Sequence, residues 1–113
     1  MNEYKLVYVC SPYAGDIEQN VSNARKYSRF VAMSGYIPIT PHLLFTQFLS
    51  DNNPEERDMG MRFGNSLMDL CSEIWVFGDD ISTGMKAEIQ RAKEQEYKIR
   101  YFNKEMKETI LEK

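Results

Sequence analysis

The chain alternates short apolar runs with amphipathic segments. Residues Leu6–Cys10 are apolar at nearly every position and end before Ser11-Pro12, where proline removes a hydrogen-bond donor from the ladder. Such a run predicts a strand covered on both faces, as in a parallel sheet. A helix is predicted next, ending near Gly35. The positions that form its buried face, at spacings of three and four, are Ile17, Val21, Ala24, Ser28 and Val31.

A second strand and two helical segments follow. Residues 36–40 predict a short strand, and Pro38 within it indicates an edge position. Residues 43–49 are predicted to be helical. Asn53 with Pro54 and two acids behind them is typical of a helix start. That helix should run to about Cys71, with packing residues that include Met61, Leu67, Met68 and Leu70.

The last third of the chain continues the alternation. Glu73–Phe77 is the clearest strand pattern, and a helix over 85–95 and a strand over 97–102 follow. Asn103 is expected to cap a short, charged C-terminal helix. This order predicts an α/β fold in which an open parallel sheet of four to five strands carries helices on both faces.

Composition restricts the class of protein. A chain of 113 residues with 42% apolar side chains predicts a single domain, residues 1–113, with one core. Its 14 basic and 17 acidic side chains give a net charge of −3. This balance argues against a protein that coats a nucleic-acid polymer or an anionic membrane. A small phosphorylated ligand stays possible, because such a site needs only a few donors.

The chain shows no targeting or metal-binding pattern. It begins Met1-Asn2-Glu3 without a basic stretch and apolar run, and no apolar run approaches the roughly 20 residues that span a bilayer. Cys10 and Cys71 lack CxxC spacing and are interpreted as reduced, buried thiols. The chain has a single histidine, His42, and this argues against a His-rich metal site. We therefore expect a soluble cytoplasmic protein without metal or cofactor.

Two segments place unusual residues beyond strand ends, where parallel sheets bind ligands. They are residues 8–16 and 78–88, and neither is a Walker loop or a GxGxxG motif. Ser82-Thr83-Gly84 opens a helix whose free N–H groups favour anions. The alternative is that Ser82 or Thr83 simply caps that helix.

Several side chains in or near these segments allow two interpretations. Glu88 either points back into a cleft at the strand ends or is a solvated glutamate favoured by the helix dipole. Asp69, with Asn65 one turn before it on the same face, either reaches that cleft or is exposed. Tyr8 either lends its hydroxyl to a site or packs, and His42 is either a general base or a loop histidine. These patterns predict an α/β domain with a candidate anion site. They do not indicate which activity, if any, the site carries.

Both segments resemble signatures of one enzyme superfamily. Residues 8–15, YVCSPYAG, resemble the opening strand and loop of the nucleoside 2-deoxyribosyltransferase superfamily. Residues 82–88, STGMKAE, resemble its second signature, in which a small or acidic residue and a glycine precede the catalytic glutamate. The likeness extends over about residues 5–102. Two further stretches, PHLLFTQFL at 41–49 and WVFG at 75–78, are similar to a small, uncharacterised bacterial and phage branch.

The resemblance implies a fold, an activity and an assembly. It implies a flavodoxin- or Rossmann-like sheet, in a homodimer or larger oligomer that completes the pocket. It also implies cleavage of the N-glycosidic bond of a nucleoside or its 5′-monophosphate, with transfer to another base or to water. Glu88 would attack the anomeric carbon as the nucleophile, and Tyr8 would position it.

The resemblance also implies ligand contacts. Ser82 stands where the transferases carry aspartate and the nucleotide hydrolases carry a serine near the 5′-phosphate, which favours a phosphorylated ligand. The backbone of residues 11–16, with Ser11, Gly15 and Asp16, and the turn ending at Gly84 would hold that phosphate. His42 is a further candidate contact. Arg25 is either an additional donor or a solvated helix residue.

Besides Ser82, a second position departs from the pattern of the transferases. The aspartate that protonates the leaving base corresponds to Asn65. Either Asp69 takes this role from one turn further on, or the acid is missing, since asparagine cannot donate a proton to a base. A rival hypothesis is therefore a non-catalytic module that binds or sequesters a nucleotide or an ADP-ribose-like ligand. A third is an interaction protein with a vestigial pocket.

Overall fold

The computed structural model describes residues 3–110 of the chain. Residues 1, 2 and 111–113 lie outside the described residues. The expectation about a targeting segment depends partly on Met1 and Asn2. The elements, in chain order, are β1 Leu6–Cys10, α1 Ile17–Met33, β2 Ile37–Ile39, α2 Pro41–Leu44, a 3₁₀ turn Phe45–Gln47, α3 Pro54–Met68, β3 Glu73–Phe77, α4 Thr83–Glu94, β4 Lys98–Phe102 and β5 Glu108–Thr109.

The strands form one open sheet in the order β2-β1-β3-β4-β5. The first four strands are parallel, and β5 is antiparallel to β4. This confirms the predicted α/β architecture, including the edge position of the strand that contains Pro38. Because the chain passes from β1 outward to β2 and then to β3 on the other side, strand order reverses at β1. The ends of β1 and β3 therefore flank the switch point at which such sheets bind ligands.

Helices cover both faces of the sheet, as predicted. Alternate residues of each strand point to opposite faces, so β1 and β3 each contribute to two separate core clusters. On one face the strands pack against α1, and that cluster consists of Val7, Val9, Tyr27, Val31, Trp75, Phe77 and Phe102. On the other face they pack against α3 and α4, where the buried residues are Tyr8, Cys10, Met68, Cys71, Ile74, Val76, Met85, Ile89 and Ala92.

Local capping sets where the long helices begin and end. The Asn53 side chain accepts hydrogen bonds from the N–H groups of Glu55 and Glu56 at 2.9 and 3.2 Å, and Pro54 follows at the first helical position. Gly35 follows α1 with a φ of +95°, a left-handed conformation that glycine adopts without a Cβ penalty. Both boundaries were predicted from the sequence.

The predicted C-terminal helix is wrong over the described residues. The Asn103 side chain accepts from the N–H groups of Glu105 and Lys107, and Met106 has a φ of +63°, so the chain turns back. It then forms β5 against β4, where Arg100 makes a two-pronged ion pair with Glu108 at 2.7 and 2.8 Å. Pairing with the open edge of β4 satisfies backbone groups that a short exposed helix would leave to water.

The middle of the chain also differs from the prediction. Instead of one helix over 43–49, α2 ends at Leu44 and a 3₁₀ turn follows. The next helix, α3, ends at Met68, three residues before the predicted end. Met68 is buried and Leu67 half-buried, but Leu70, which lies beyond the helix, is 68% exposed. Met61 is 59% exposed, because it lines an open cleft and not the core.

Neither cysteine forms a disulfide: Cys10 and Cys71 are both buried free thiols. Among the helices of residues 3–110, none has the length and apolar character that crossing a membrane requires.

Candidate functional site

A cleft of about 770 Å³ opens at the carboxyl end of β1. Its walls come from the loop after β1, from α2 and α3, and from the first turns of α4. It therefore lies at the switch point of the sheet, where the two unusual sequence segments meet. The predicted site residues that line it are Tyr8, Ser11, Gly15, His42, Asn65, Ser82, Gly84 and Glu88.

Glu88 is the buried carboxyl among the residues that line this cleft. It projects from α4 towards β1, where the Tyr8 hydroxyl donates a hydrogen bond to its Oε2. The Cys10 thiol lies 3.4 Å from Oε1 and donates to it. Because Tyr8 and Cys10 are two residues apart on one strand, they point to the same face of the sheet. The strand thus supplies one donor to each oxygen of the carboxyl group.

Burial controls the ionisation of this trio. Loss of hydration raises the pKa of Glu88 to about 7, although the hydrogen bonds from Tyr8 and Cys10 partly oppose the shift. Burial, reinforced by the neighbouring Glu88 charge, raises the pKa of Tyr8 and of Cys10 well above their ordinary values. Both donors therefore keep their protons at neutral pH, where Glu88 itself titrates.

Tyr8 combines the two interpretations that its sequence position allowed. Its side chain is 2% exposed and belongs to the core, while its hydroxyl reaches the cleft. Gly64 of α3 lies directly over that hydroxyl, and a Cβ added there would be 3.5 Å from the Tyr8 oxygen. The helix thus packs closely over the tyrosine and closes the cleft on that side.

The loop after β1 forms a second wall. Ser11 is 1% exposed, and its hydroxyl has no hydrogen-bond partner among the residues that the structure describes. His42 hydrogen-bonds the backbone of Ser11 and stacks on Tyr13, with ring centroids 4.9 Å apart. Burial lowers the pKa of His42, against the opposing effects of Asp51 and of the Ser11 bond. His42 is therefore a fixed, mostly neutral part of the wall.

The start of α4 forms the third wall. The Ser82 side chain accepts from the Met85 N–H at 3.2 Å, so it caps the helix while also lining the cleft. Gly15, with a φ of +98°, lines the same cleft from the loop after β1. Asp16 does not line the cleft: its carboxylate caps α1 by accepting from Gln19 N–H.

Two further candidates lie elsewhere. Arg25 is exposed on α1, which covers the opposite face of the sheet. Asp69 ends α3 and forms an ion pair with Arg91, whose Nη2 is 3.0 Å from Oδ1. Asp69 is not among the residues that line the cleft, whereas Asn65 and Arg91 are.

Sequence reasoning missed Cys10 and Arg91 as site residues. Cys10 was interpreted only as a buried thiol, but its place two residues after Tyr8 on a strand indicated the same face. Arg91 follows Glu88 by three residues, a spacing that places both on one face of a helix. In both cases the signal was periodicity relative to a residue that had already been identified.

Within residues 3–110, no three His, Cys, Asp or Glu side chains come together as a potential metal site. The chemistry that the described groups offer is that of one buried carboxyl with two fixed donors. In its ionised form Glu88 is a nucleophile or a stabiliser of positive charge, and in its protonated form it is an acid.

Comparison with known proteins gives a family and a fold. A family model described as Domain of unknown function (DUF7768) matches residues 5–102. No curated protein matches the chain significantly. Among solved structures, a 2-deoxyribosyltransferase from the psychrotolerant bacterium Bacillus psychrosaccharolyticus, described as a biocatalyst for nucleoside synthesis, is similar with a TM-score of 0.73 and 14% identity. The match covers 87% of this chain and 72% of that one, and shows a shared fold.

Proposed function

The chain belongs to the family described as Domain of unknown function (DUF7768), and we propose that it cleaves the N-glycosidic bond of a nucleoside or nucleoside 5′-monophosphate through Glu88. The observation that carries this proposal is the buried Glu88 carboxyl, which Tyr8 and Cys10 hold at the switch point of the sheet. The fold shared with a 2-deoxyribosyltransferase supports a nucleoside as the substrate.

The proposed step uses the ionised form of Glu88. Its carboxylate attacks the anomeric carbon as the bond to the base breaks, and a glycosyl-enzyme forms. The transition state carries positive charge on the sugar, which a nearby carboxylate stabilises. Each carboxylate oxygen has two lone pairs, so Tyr8 and Cys10 can orient the group without blocking its attack. Water or a second base then releases the sugar.

We assign the wall opposite α3 to the sugar and its phosphate. The cleft is lined there by Ser11, whose hydroxyl has no partner among the described residues, by Gly15, and by Ser82 and Gly84 at the start of α4. The free N–H groups of that helix end favour an anion. Asp16 would act indirectly, because it caps α1 beside the glycine turn.

The base would lie towards α3. Asn65 lines the cleft there and would hydrogen-bond the base. Asp69 forms an ion pair with Arg91, so it would affect departure of the base only by positioning that arginine. His42, whose ring stacks on Tyr13, would form part of the cleft wall on the sugar side.

We also propose that the single domain assembles as a homodimer or larger homo-oligomer in the cytoplasm. Apolar side chains beside the cleft are exposed on the α2–α3 side, among them Leu44, Phe48 and Phe63. Such a patch is typical of an interface, and light scattering after size exclusion would measure the assembly directly. The buried free thiols Cys10 and Cys71 suit a reducing compartment.

Release of free base, measured by mass spectrometry, tests the chemistry. The protein, its Glu88→Gln variant and a matched Glu94→Gln control, altered at an exposed site on the same helix, would be incubated with nucleosides and 5′-monophosphates. We expect release or exchange of base by the wild type and the control, and none by Glu88→Gln. Equal release by Glu88→Gln would rule out Glu88 as the nucleophile.

A binding-only module is the second candidate, and Asn65 at the position of the expected acid favours it. Such a module would be stabilised by about 2.7 kcal/mol at a ligand concentration 100 times the dissociation constant, without product. A thermal-shift series with the same nucleotides measures this. A vestigial pocket would show neither stabilisation nor product.

A further inference from the structure

Arg91 lies in the same cleft as the carboxyl of Glu88, one helical turn further along α4. The spacing of three residues places both side chains on one face of the helix. Arg91 lines the cleft, and its side chain is 26% exposed. Arg91 therefore borders the same cleft as Asn65 of α3, and its guanidinium is tied to Asp69 at the end of that helix.

Only part of this guanidinium is satisfied within the protein. Nη2 pairs with Asp69, 3.0 Å from Oδ1 and 3.1 Å from Oδ2. Nη1 is buried and has no hydrogen-bond partner among the residues that the structure describes. A buried donor without a partner is unfavourable, because it has lost water and gained nothing in exchange. The Asp69 pair thus holds the guanidinium in place, and a ligand group that reached the buried Nη1 would satisfy this donor.

The chemistry of this end of the cleft is that of a donor. A guanidinium has five N–H donors and no acceptor, and it keeps its charge. Besides Glu88, the carboxylates that line the cleft are Asp51 and Glu56, which come from the loop before α3 and its first turn. Asp69 is engaged in an ion pair, and Asn65 is not an acid. The end of the cleft next to α3 therefore offers positive charge, and neither Asn65 nor Arg91 can protonate a leaving base there.

We infer that Arg91 recognises a carbonyl oxygen of the leaving base, so that the preferred substrates carry oxo-bases such as hypoxanthine, guanine, uracil or thymine. This inference rests on the proposed glycosidic chemistry and specifies its substrate class. When the C–N bond breaks, its electron pair passes to the base and is delocalised onto the carbonyl oxygens. Arg91 stabilises that anion by a charge-assisted hydrogen bond, and the anion takes its proton from water after release.

Adenine has no carbonyl oxygen and therefore lacks this route. Adenine departs readily when a ring nitrogen is protonated, and a neighbouring guanidinium disfavours a second positive charge. The same arginine that assists an oxo-base therefore hinders adenine. The preference should appear in kcat/KM, because it is a difference in transition-state stabilisation.

The test compares two 5′-monophosphates whose bases differ in one group, an oxo group in inosine and an amino group in adenosine. For the wild type we expect inosine 5′-monophosphate to be favoured by about tenfold or more in kcat/KM. Arg91→Met should lower kcat/KM for inosine 5′-monophosphate by about tenfold to hundredfold and should not lower it for adenosine 5′-monophosphate. Arg91→Lys keeps the positive charge but lacks the planar guanidinium with its paired donors. Its kcat/KM for inosine 5′-monophosphate should lie between those of the wild type and Arg91→Met.

Controls separate recognition from folding. Arg62→Met removes an exposed arginine that is paired with Asp58 on α3, away from the cleft, and should keep the wild-type preference. The double variant Asp69→Asn/Arg91→Met leaves neither charge unpaired and should show the same loss as Arg91→Met. Wild-type melting temperatures for the double variant would exclude misfolding as the cause.

A binding measurement keeps the inference distinct from the chemistry. Thermal stabilisation of Glu88→Gln by free hypoxanthine should exceed that by adenine, and Arg91→Met should abolish the difference. If no base is ever released but this difference holds, the proposed function fails and recognition by Arg91 stands. If base is released without an oxo preference, or the preference survives in folded Arg91→Met, the inference is overturned.

Discussion

The carboxyl group of Glu88 is removed from water by residues far from it in the chain. Tyr8 and Cys10 reach it across 80 and 78 positions of sequence, and together with burial they place its pKa at about 7. Its protonation is therefore expected to change near neutral pH, where an ordinary glutamate would be ionised. Two predictions at the residue scale follow from this.

Stability should fall with pH because of Glu88. Its pKa is higher in the folded protein than the ordinary 4.5, so between pH 4.5 and 7 the folded state holds a proton that the unfolded chain has lost. The free energy of unfolding of the wild type, relative to Glu88→Gln, should decrease by up to about 3 kcal/mol over this range. Urea unfolding at pH 5 and pH 8 measures it. Glu94→Gln, altered at an exposed site, is the control and should keep the pH dependence of the wild type. If the free energy of unfolding of Glu88→Gln also followed the wild type at every pH, the raised pKa of Glu88 would be contradicted.

Cys10 should lower the pKa of Glu88. Its thiol donates to the carboxylate and favours the ionised form, so Cys10→Ala should raise the pKa above that of the wild type. Cys10→Ser, which keeps a donor, should reverse this. NMR titration of the ¹³C-labelled Glu88 carboxyl group measures the pKa without any need for activity. Cys71→Ala is the matched control, because that buried thiol donates to the Leu67 carbonyl and not to the cleft.

At the scale of elements, caps and turns connect the local sequence to the walls of the cleft. The cap at Asn53 sets the start of α3, which carries Gly64 and Asn65 to the cleft. The cap at Ser82 does the same for α4 and Glu88. Both starts could be predicted, since a cap bonds to groups only two or three residues away. The C-terminal segment could not, because it depends on the free edge of β4.

The Asn53 cap gives a prediction for α3. Asn53→Ala removes the acceptor for the Glu55 and Glu56 N–H groups and should lower the free energy of unfolding by about 1 kcal/mol. Chemical denaturation measures the loss. Asn52→Ala, one position earlier in the exposed loop, should change stability by less than about 0.5 kcal/mol. Equal losses in the two variants would show that the cap does not stabilise the helix.

For the whole molecule, the sheet separates an aromatic core from the cleft. On the α1 face Phe77 stacks between Tyr27 and Phe102, with ring centroids 4.6 and 4.9 Å away. The other face carries Tyr8 and Cys10 towards Glu88. Packing on one face thus holds the strands that position the site on the other.

Truncation of this aromatic core should destabilise the whole fold. Phe77 is fully buried, so Phe77→Ala should lower the free energy of unfolding by about 3 to 5 kcal/mol through lost burial and a cavity. Phe48→Ala, at a side chain that is 65% exposed, should cost less than about 1 kcal/mol in the monomer. Guanidinium unfolding followed by Trp75 fluorescence compares them. A small loss for Phe77→Ala would mean that the aromatic cluster is not the main core.

The sequence by itself determined the alternation of strands and long helices from β1 to β4, the edge strand, the starts of α3 and α4 and the candidates Glu88 and Tyr8, because apolar periodicity and capping act over a few residues. Tertiary structure decided which candidates meet. It buried Glu88 against Cys10, joined Arg91 of the cleft wall to Asp69 in an ion pair, and left Met61 exposed where it lines the cleft. Burial and contacts between distant segments depend on strand order and on how helices lie across the sheet, and no local pattern encodes either of these.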